Sequence, residues 1–287
     1  MCAAERKPVT TVSDKLRRVL TATPLWVWMI AFTIVPMLLV VYYAFKDPSG
    51  GFTTEHIVFA ATNTDYLTSI LISFRHALLS TVVCLLIGYP VAYFLVRMKS
   101  GGGFILLLFM LPMWMNFLIR TYALKSILEK GGFLDGVMVA LGFQSGSLIN
   151  NDFAVVVGMV YNFLPFLILP IYTSMSKIDG HIIEAAHDLG GNAFTTLRRI
   201  YIPLTMPGIV SGITMVFVPA VTTFIIPQML NNKYMTIGSL IEYKFKQEVS
   251  FTGISGVGSA LSLLLMVVVI IIMTIVNAVD KEGDTAI

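Results

Sequence analysis

The chain has 287 residues, 56% of them hydrophobic and 12% charged, with a mean hydropathy of +0.84. Soluble domains carry about 25% charged residues, and a core of this size cannot hide so much apolar surface, so most of the chain needs a bilayer as its solvent. The net charge of +3 comes from scattered Lys and Arg and gives no basis for nucleic-acid binding.

In chain order, residues 1–24, beginning MCAAERKPVTTVSDKLRRVL, make a polar, basic tail without the charge, apolar core and cleavage-site order of a signal peptide. Cys2 lies in this tail and Cys84 midway along an apolar run, so no disulfide is expected between them. Residues 25–279 are expected to form the membrane domain and 280–287 a second short tail. Six apolar runs can each cross ~30 Å of hydrocarbon at about 1.5 Å per residue: 25–45, 75–97, 104–128, 153–176, 207–229 and 258–279. They are continuous and do not alternate like barrel strands, so the predicted fold class is an all-α membrane protein with six transmembrane helices. The MKSGGG turn, with Gly101, Gly102 and Gly103, predicts an antiparallel hairpin between the second and third spans. Pro36, Pro90, Pro112, Pro165, Pro170, Pro219 and Pro227 fall inside spans. Each removes a backbone donor and predicts a bend whose freed carbonyl needs another partner.

Orientation follows from the basic residues. With the N-terminus inside, the inner segments hold Arg6, Lys7, Lys15, Arg17, Arg18, Arg97, Lys99, Lys177, Arg198, Arg199 and Lys281, eleven of the nineteen Lys and Arg. Both termini are therefore predicted to be cytoplasmic. The outer loops, 46–74, 130–152 and 230–257, hold most of the other acids: Asp47, Glu55, Asp65, Glu129, Asp135, Asp152, Glu242 and Glu248.

No GxxxxGK[ST] pattern occurs, and His56, His76, His181 and His187 do not fall at zinc-ligand spacing. No catalytic constellation is visible. No Asp or Glu lies deep within a span, which argues against a proton-coupled carrier. The polar segment 177–203 therefore has to carry the functional reading. Ile182, Ile183, Ala185, Ala186 and Leu189 predict a short helix on which Glu184 and Asp188, at i and i+4, share a face. Gly190 and Gly191 end that helix, and a second runs from about Ala193 through Arg198 and Arg199 to Pro203. Two short helices at an angle suit a docking device.

This segment, EAAHDLGGNAFTTLRRIYIP, resembles the cytoplasmic loop of importer-type ABC permeases, whose pattern is EAA, three residues, Gly, nine residues, Ile, one residue, Leu-Pro. Glu184, Ala185, Ala186, Gly190, Ile200 and Pro203 match, and Ile202 stands at the Leu position. LPMWMNFLIRTYALKSIL (111–128), YNFLPFLILPIY (161–172) and IPLTMPGI (202–209) are further similar to permease subunits of spermidine/putrescine importers of the PotB/PotH type. The resemblance implies the type I importer fold in a bacterial cytoplasmic (inner) membrane, with alternating access. It also implies a second permease subunit that is a paralogue, two cytoplasmic ATPase subunits that bind the ATP and magnesium, and an external solute-binding protein. No cofactor is expected in this chain. Glu184, Ala185, Ala186, Asp188, Gly190, Arg198, Arg199 and Pro203 would couple it to the ATPase.

A path for a flexible polycation needs aromatic faces and a few acceptors. Trp114, Asn116 and Tyr122 on the third span and Tyr161 and Asn162 on the fourth are the pathway candidates, with Asp152 and Glu242 at the outer mouth. A lone Arg at mid-membrane costs roughly 2.5–3.5 kcal/mol, so Arg120 is expected to be structural, paired with an outer-loop acid or a helix-end carbonyl. Other readings stay open: a permease for iron, an organic cation or an anion, a stand-alone channel or carrier, or a membrane scaffold.

Overall fold

The computed structural model describes residues 23–47, 51–98, 100–252 and 256–284, with 248–252 and 277–284 described by their backbone alone. The basic tail with Cys2, and Lys99, lie outside the described residues, as do the side chains of Glu248 and Lys281. Among the described residues the structure is helical apart from one isolated antiparallel bridge between Lys46 and Phe52.

Helix α1 (Thr23–Ala44) is apolar throughout and widens to a π turn at Ile30–Ile34. Pro36 follows directly: its ring displaces a carbonyl of the preceding turn, and the wider turn absorbs the clash. A short helix, α2 (Glu55–Thr62), leads to α3 (Thr64–Arg97). The expected second span begins at 75, but α3 starts eleven residues earlier, where the Asn63 side chain accepts from Asp65 and Tyr66 N–H at 3.0 and 3.3 Å. In its polar first turns the Ser69 and Ser73 hydroxyls are satisfied by donating to the carbonyls four residues back.

The third expected span is not one straight helix. Helix α4 (Gly102–Met110) runs into a 3₁₀ turn at Leu111–Trp114, and α5 (Phe117–Leu128) restarts in a new direction. The break turns the chain by 96°. Pro112 starts the 3₁₀ turn, and Asn116 caps α5 by accepting from Leu118 N–H at 2.8 Å. Helix α6 (Phe133–Ala140) follows within the expected outer loop.

Helix α7 (Asp152–Met175) contains Pro165 and Pro170. Two short helices follow, α8 (Gly180–Asp188) and α9 (Ala193–Leu204), the latter widened to a π turn ahead of Pro203. A 69° bend at Thr205 leads into α10 (Met206–Thr222). The expected fifth span also breaks at 223–224, after which come α11 (Ile225–Leu230) and α12 (Ile237–Thr252), the latter in the expected outer loop. The last helix is α13 (Gly256–Asp284). Among the described residues, four helices are long and apolar enough to cross a membrane, or up to six if each bent pair is one span.

The core is the mutual packing of α3, α7 and α10, where Leu167, Ile168, Ile171 and Val216 are fully buried. Small residues let the backbones close up: a Cβ on Gly88 of α3 would sit 2.7 Å from the Leu167 side chain of α7. Helix α13 covers this core and also packs on α1 and α2. The polarity of the bundle is fixed by long-range contacts. At one end His76 of α3 meets Tyr234, which bonds Asp152 of α7. At the other, Tyr89 meets Thr205 at 3.2 Å and Tyr93 packs on Tyr201. The 177–204 segment and the end of α3 at Arg97 therefore share one end, and Asp152 and Tyr234 mark the other.

Candidate functional site

The 177–204 segment is a preformed pair of capped helices. Asp179 caps α8 by accepting from His181 N–H at 3.0 Å, and Asn192 caps α9 by accepting from Thr195 N–H at 2.8 Å. Between them Gly190 takes a left-handed φ of +80°. Its N–H reaches His187 O, and Gly191 N–H reaches Ala186 O, both at 2.9 Å, the hydrogen-bond pair of a Schellman stop. A Cβ at Gly191 would lie 2.6 Å from Ala186 O, so both glycines are needed, for different reasons.

The base of this loop is anchored. Tyr201 is buried with its ring edge-on to Tyr93 at 4.9 Å, and Arg97 donates to Tyr93 Oη at 2.8 Å while lying over that ring. Its far face is open. Leu189 is 89% exposed and Phe194 69%. Glu184, Ala185, Asp188, Gly190, Arg198, Arg199 and Pro203 are exposed and Ala186 is half-buried. Glu184 contacts His181 at 3.5 Å, both well exposed. Behind α8, a cleft of about 430 Å³ opens between the end of α7 and the start of α10, lined by Ser174, Lys177, Ile182 and Leu204. A rigid base with apolar side chains presented outward and charges around them is a surface shaped for a protein partner.

The pathway candidates divide into exposed and engaged groups. Trp114 is 79% exposed, and Tyr122 and Tyr161 are also exposed. Asn116 is exposed but serves as the α5 cap. Arg120, only 5% exposed, points back across the break: Nε donates to Asn162 Oδ1 at 2.8 Å and Nη1 to Pro112 O at 3.0 Å. Phe117 and Tyr161 flank the guanidinium at 5.8 and 6.0 Å. Arg120 thus meets the carbonyl at the end of the broken span and shows no contact with an acid among the described residues. Asn162 is fully buried and passes the bond on to Gly158 O at 2.8 Å.

At the opposite end from the loop, Asp152 is held by three groups. Arg75 pairs with Oδ2, Tyr234 donates to Oδ1 at 2.6 Å, and His76 lies 3.4 Å from the same oxygen. His76 is buried and stacks on Tyr234. Burial and the Asp152 carboxylate push the Tyr234 phenol up. Ser73 accepts from Ile237 N–H at 2.8 Å, and Leu230 O from Asn150 N–H at 2.7 Å, so α3, α7 and the 231–236 turn are tied together here. Glu242, on α12, takes Lys246 at 2.6 Å on one oxygen and the Gln228 amide on the other. The Lys246 ammonium, with the Gln228 amide, holds this carboxyl below the usual carboxylate range against the opposing effect of burial.

A family model described as "Binding-protein-dependent transport system inner membrane component" matches residues 96–282. The chain belongs to that family. As a binding-protein-dependent transport component it is similar to the "Spermidine/putrescine transport system permease protein PotB" of Haemophilus influenzae, 33% identical over 262 residues covering 88% of this chain and 91% of the relative. The protein of the same name from Escherichia coli K12 is 34% identical, over 76% of this chain and 82% of its own. Among solved structures, a chain of the bacterial alginate ABC transporter in complex with an alginate pentasaccharide-bound periplasmic protein superposes with a TM-score of 0.74. That match covers 94% of this chain and 97% of the other, and at 15% identity it shows a shared fold.

In this transport component the residues that the sequence reading missed are mostly anchors. Tyr93 and Tyr201 fix the loop through a contact about a hundred residues apart in the chain, which no local pattern announces, and Arg97 braces Tyr93 from one helical turn away. Phe194 was readable: an aromatic two residues after Asn192, in a polar segment with little to bury it, is a contact residue in waiting.

Proposed function

We propose that this permease subunit forms one half of an ATP-driven pore that brings spermidine or putrescine into the cell. The observation that carries the reading is the 33–35% identity to curated spermidine/putrescine permeases over most of the chain. The open face of the 177–204 loop supports the energy source: Leu189 and Phe194 stand in water unless another protein covers them, and a cytoplasmic ATPase subunit that binds the ATP and magnesium is that protein. In this reading each bent pair crosses as one span, giving six spans with both termini cytoplasmic. The loop end then faces the cytoplasm and the Asp152 end faces outward. A paralogous subunit completes the pore, two ATPase copies dock on the paired loops, and an external solute-binding protein delivers the amine. Trp114, Tyr122 and Tyr161 offer ring faces to it.

Uptake of labelled putrescine and spermidine into cells with and without the chain tests this. The expected result is uptake that needs the chain, collapses on ATP depletion and is lost in Glu184→Lys, which reverses the charge of the docking face. Uptake unchanged by removal of the chain, while it still copurifies with an ATPase, would overturn the amine cargo and leave the importer.

A further inference from the structure

Glu242 stands at a boundary between two cavities. On one side is a cavity of about 210 Å³ whose lining includes the polar groups of Gln228, Asn231, Tyr234, Tyr243 and Lys246. On the other is an apolar cavity of about 600 Å³ between α10, α12 and α13, lined by Phe224, Ile241, Phe245, Leu265 and Met266. Glu242 lines both, and its side chain is 22% exposed. A carboxylate with amide and phenol groups on one flank and an apolar wall on the other fits one chemical class well. That class is a primary ammonium on an alkyl chain, whose head has three N–H donors to place and whose methylenes prefer apolar cover.

The protein already sets such a group there. The Lys246 side chain is itself a primary alkylammonium, and its Nζ sits 2.6 Å from Glu242 Oε1. Lys246 is one helical turn away on α12 and 74% exposed, so it reaches the carboxylate from the solvent side. Glu242 is fixed on its other oxygen by Gln228 and need not move when the lysine does.

We propose that Glu242 receives one terminal ammonium of the cargo and that Lys246 is a tethered competitor for the same carboxylate. The inference rests on the amine reading above. A tethered ammonium is present at an effective concentration of order millimolar, so it neutralises the acid while the site is empty and weakens the hold on cargo. A pathway needs that balance, because a bare carboxylate would bind a polycation and fail to release it. The occupied state swaps one ammonium for another, and the Glu242 carboxylate is paired in both.

The test is the KM for labelled putrescine uptake by the reconstituted full complex. Lys246→Met is expected to lower KM about two- to fivefold, the scale of an exposed ion pair. Lys246→Arg, which keeps the charge, leaves KM near the wild-type value, and Glu242→Gln raises it. Adding Lys246→Met to Glu242→Gln gives no further fall, which separates competition at this carboxylate from a general loss of positive charge. A KM that is unchanged or raised in Lys246→Met overturns the inference alone, as does an equal fall in the Glu242→Gln background. A wild-type complex that docks its ATPase but moves no amine overturns the cargo reading and this inference together.

Discussion

Gly190→Val is expected to cut uptake about tenfold or more while the chain still reaches the membrane in normal amount. The φ of +80° at Gly190 is a conformation that a β-branched residue adopts only at a cost of roughly 1–3 kcal/mol. The chain can avoid that cost by unwinding the stop, which releases the two hydrogen bonds to His187 O and Ala186 O and swings α8 relative to α9. The core of α3, α7 and α10 is not touched, so folding survives and docking does not. Gly190→Asn is the control, since Asn tolerates the left-handed region and should keep most of the uptake. Copurification of the ATPase with each variant, alongside uptake, checks the prediction. Equal ATPase recovery and uptake for Val, Asn and Gly would refute it.

The second large effect is expected at Arg120. Arg120→Met removes the donor that satisfies Asn162 Oδ1, a fully buried acceptor, while Pro112 O keeps the Met115 N–H at 3.2 Å. The orphaned acceptor costs about 1–3 kcal/mol, enough to lower the melting temperature and the folded yield in detergent. Asn162→Ala does comparable damage from the other side, because it strands a guanidinium that is only 5% exposed. The pair should be non-additive, with the double variant less damaged than the sum of the two. Arg120→Lys keeps the charge but cannot serve both acceptors with one planar fork, so it should fall between wild type and Met. Thermal unfolding of the purified complex measures all four variants, and a melting temperature unmoved in Arg120→Met would refute the brace.

These two sites differ in how far they could be read from the chain. The stop at Gly190 and Gly191 was legible because a glycine pair after a helical run is a local signal, and the structure bears out both short helices. The carbonyl partner of Arg120 was expected in kind, since a membrane-embedded charge has few options. Asn162 could not be assigned, because its pairing spans 42 positions and depends on how α7 crosses α5. The long apolar helices were legible from length alone. The early start of α3 was not, because Ser69 and Ser73 fall in the expected outer loop, and only the structure shows their hydroxyls donating back to the helix. The break at 111–117 was under-read: Pro112 alone is tolerated in a membrane helix, and it took Asn116 capping a new start to turn the chain. Helices α2, α6 and α12 were hidden in segments taken for outer loops, being too short or too polar to register as spans. Asp152 and Glu242, chosen as acids of the outer mouth, both lie in bonded networks that only the assembled fold creates.

The central claim is that a separate ATPase, seated on the 177–204 loop, drives amine import through this chain. The most direct measurement is putrescine accumulation in proteoliposomes that hold the full complex, with ATP supplied either on the side of the loop or on the other. The account predicts accumulation only when ATP is on the loop side and the solute-binding protein is on the opposite side. Accumulation by this chain alone without ATP would contradict it, as would accumulation driven by ATP from the side of Asp152.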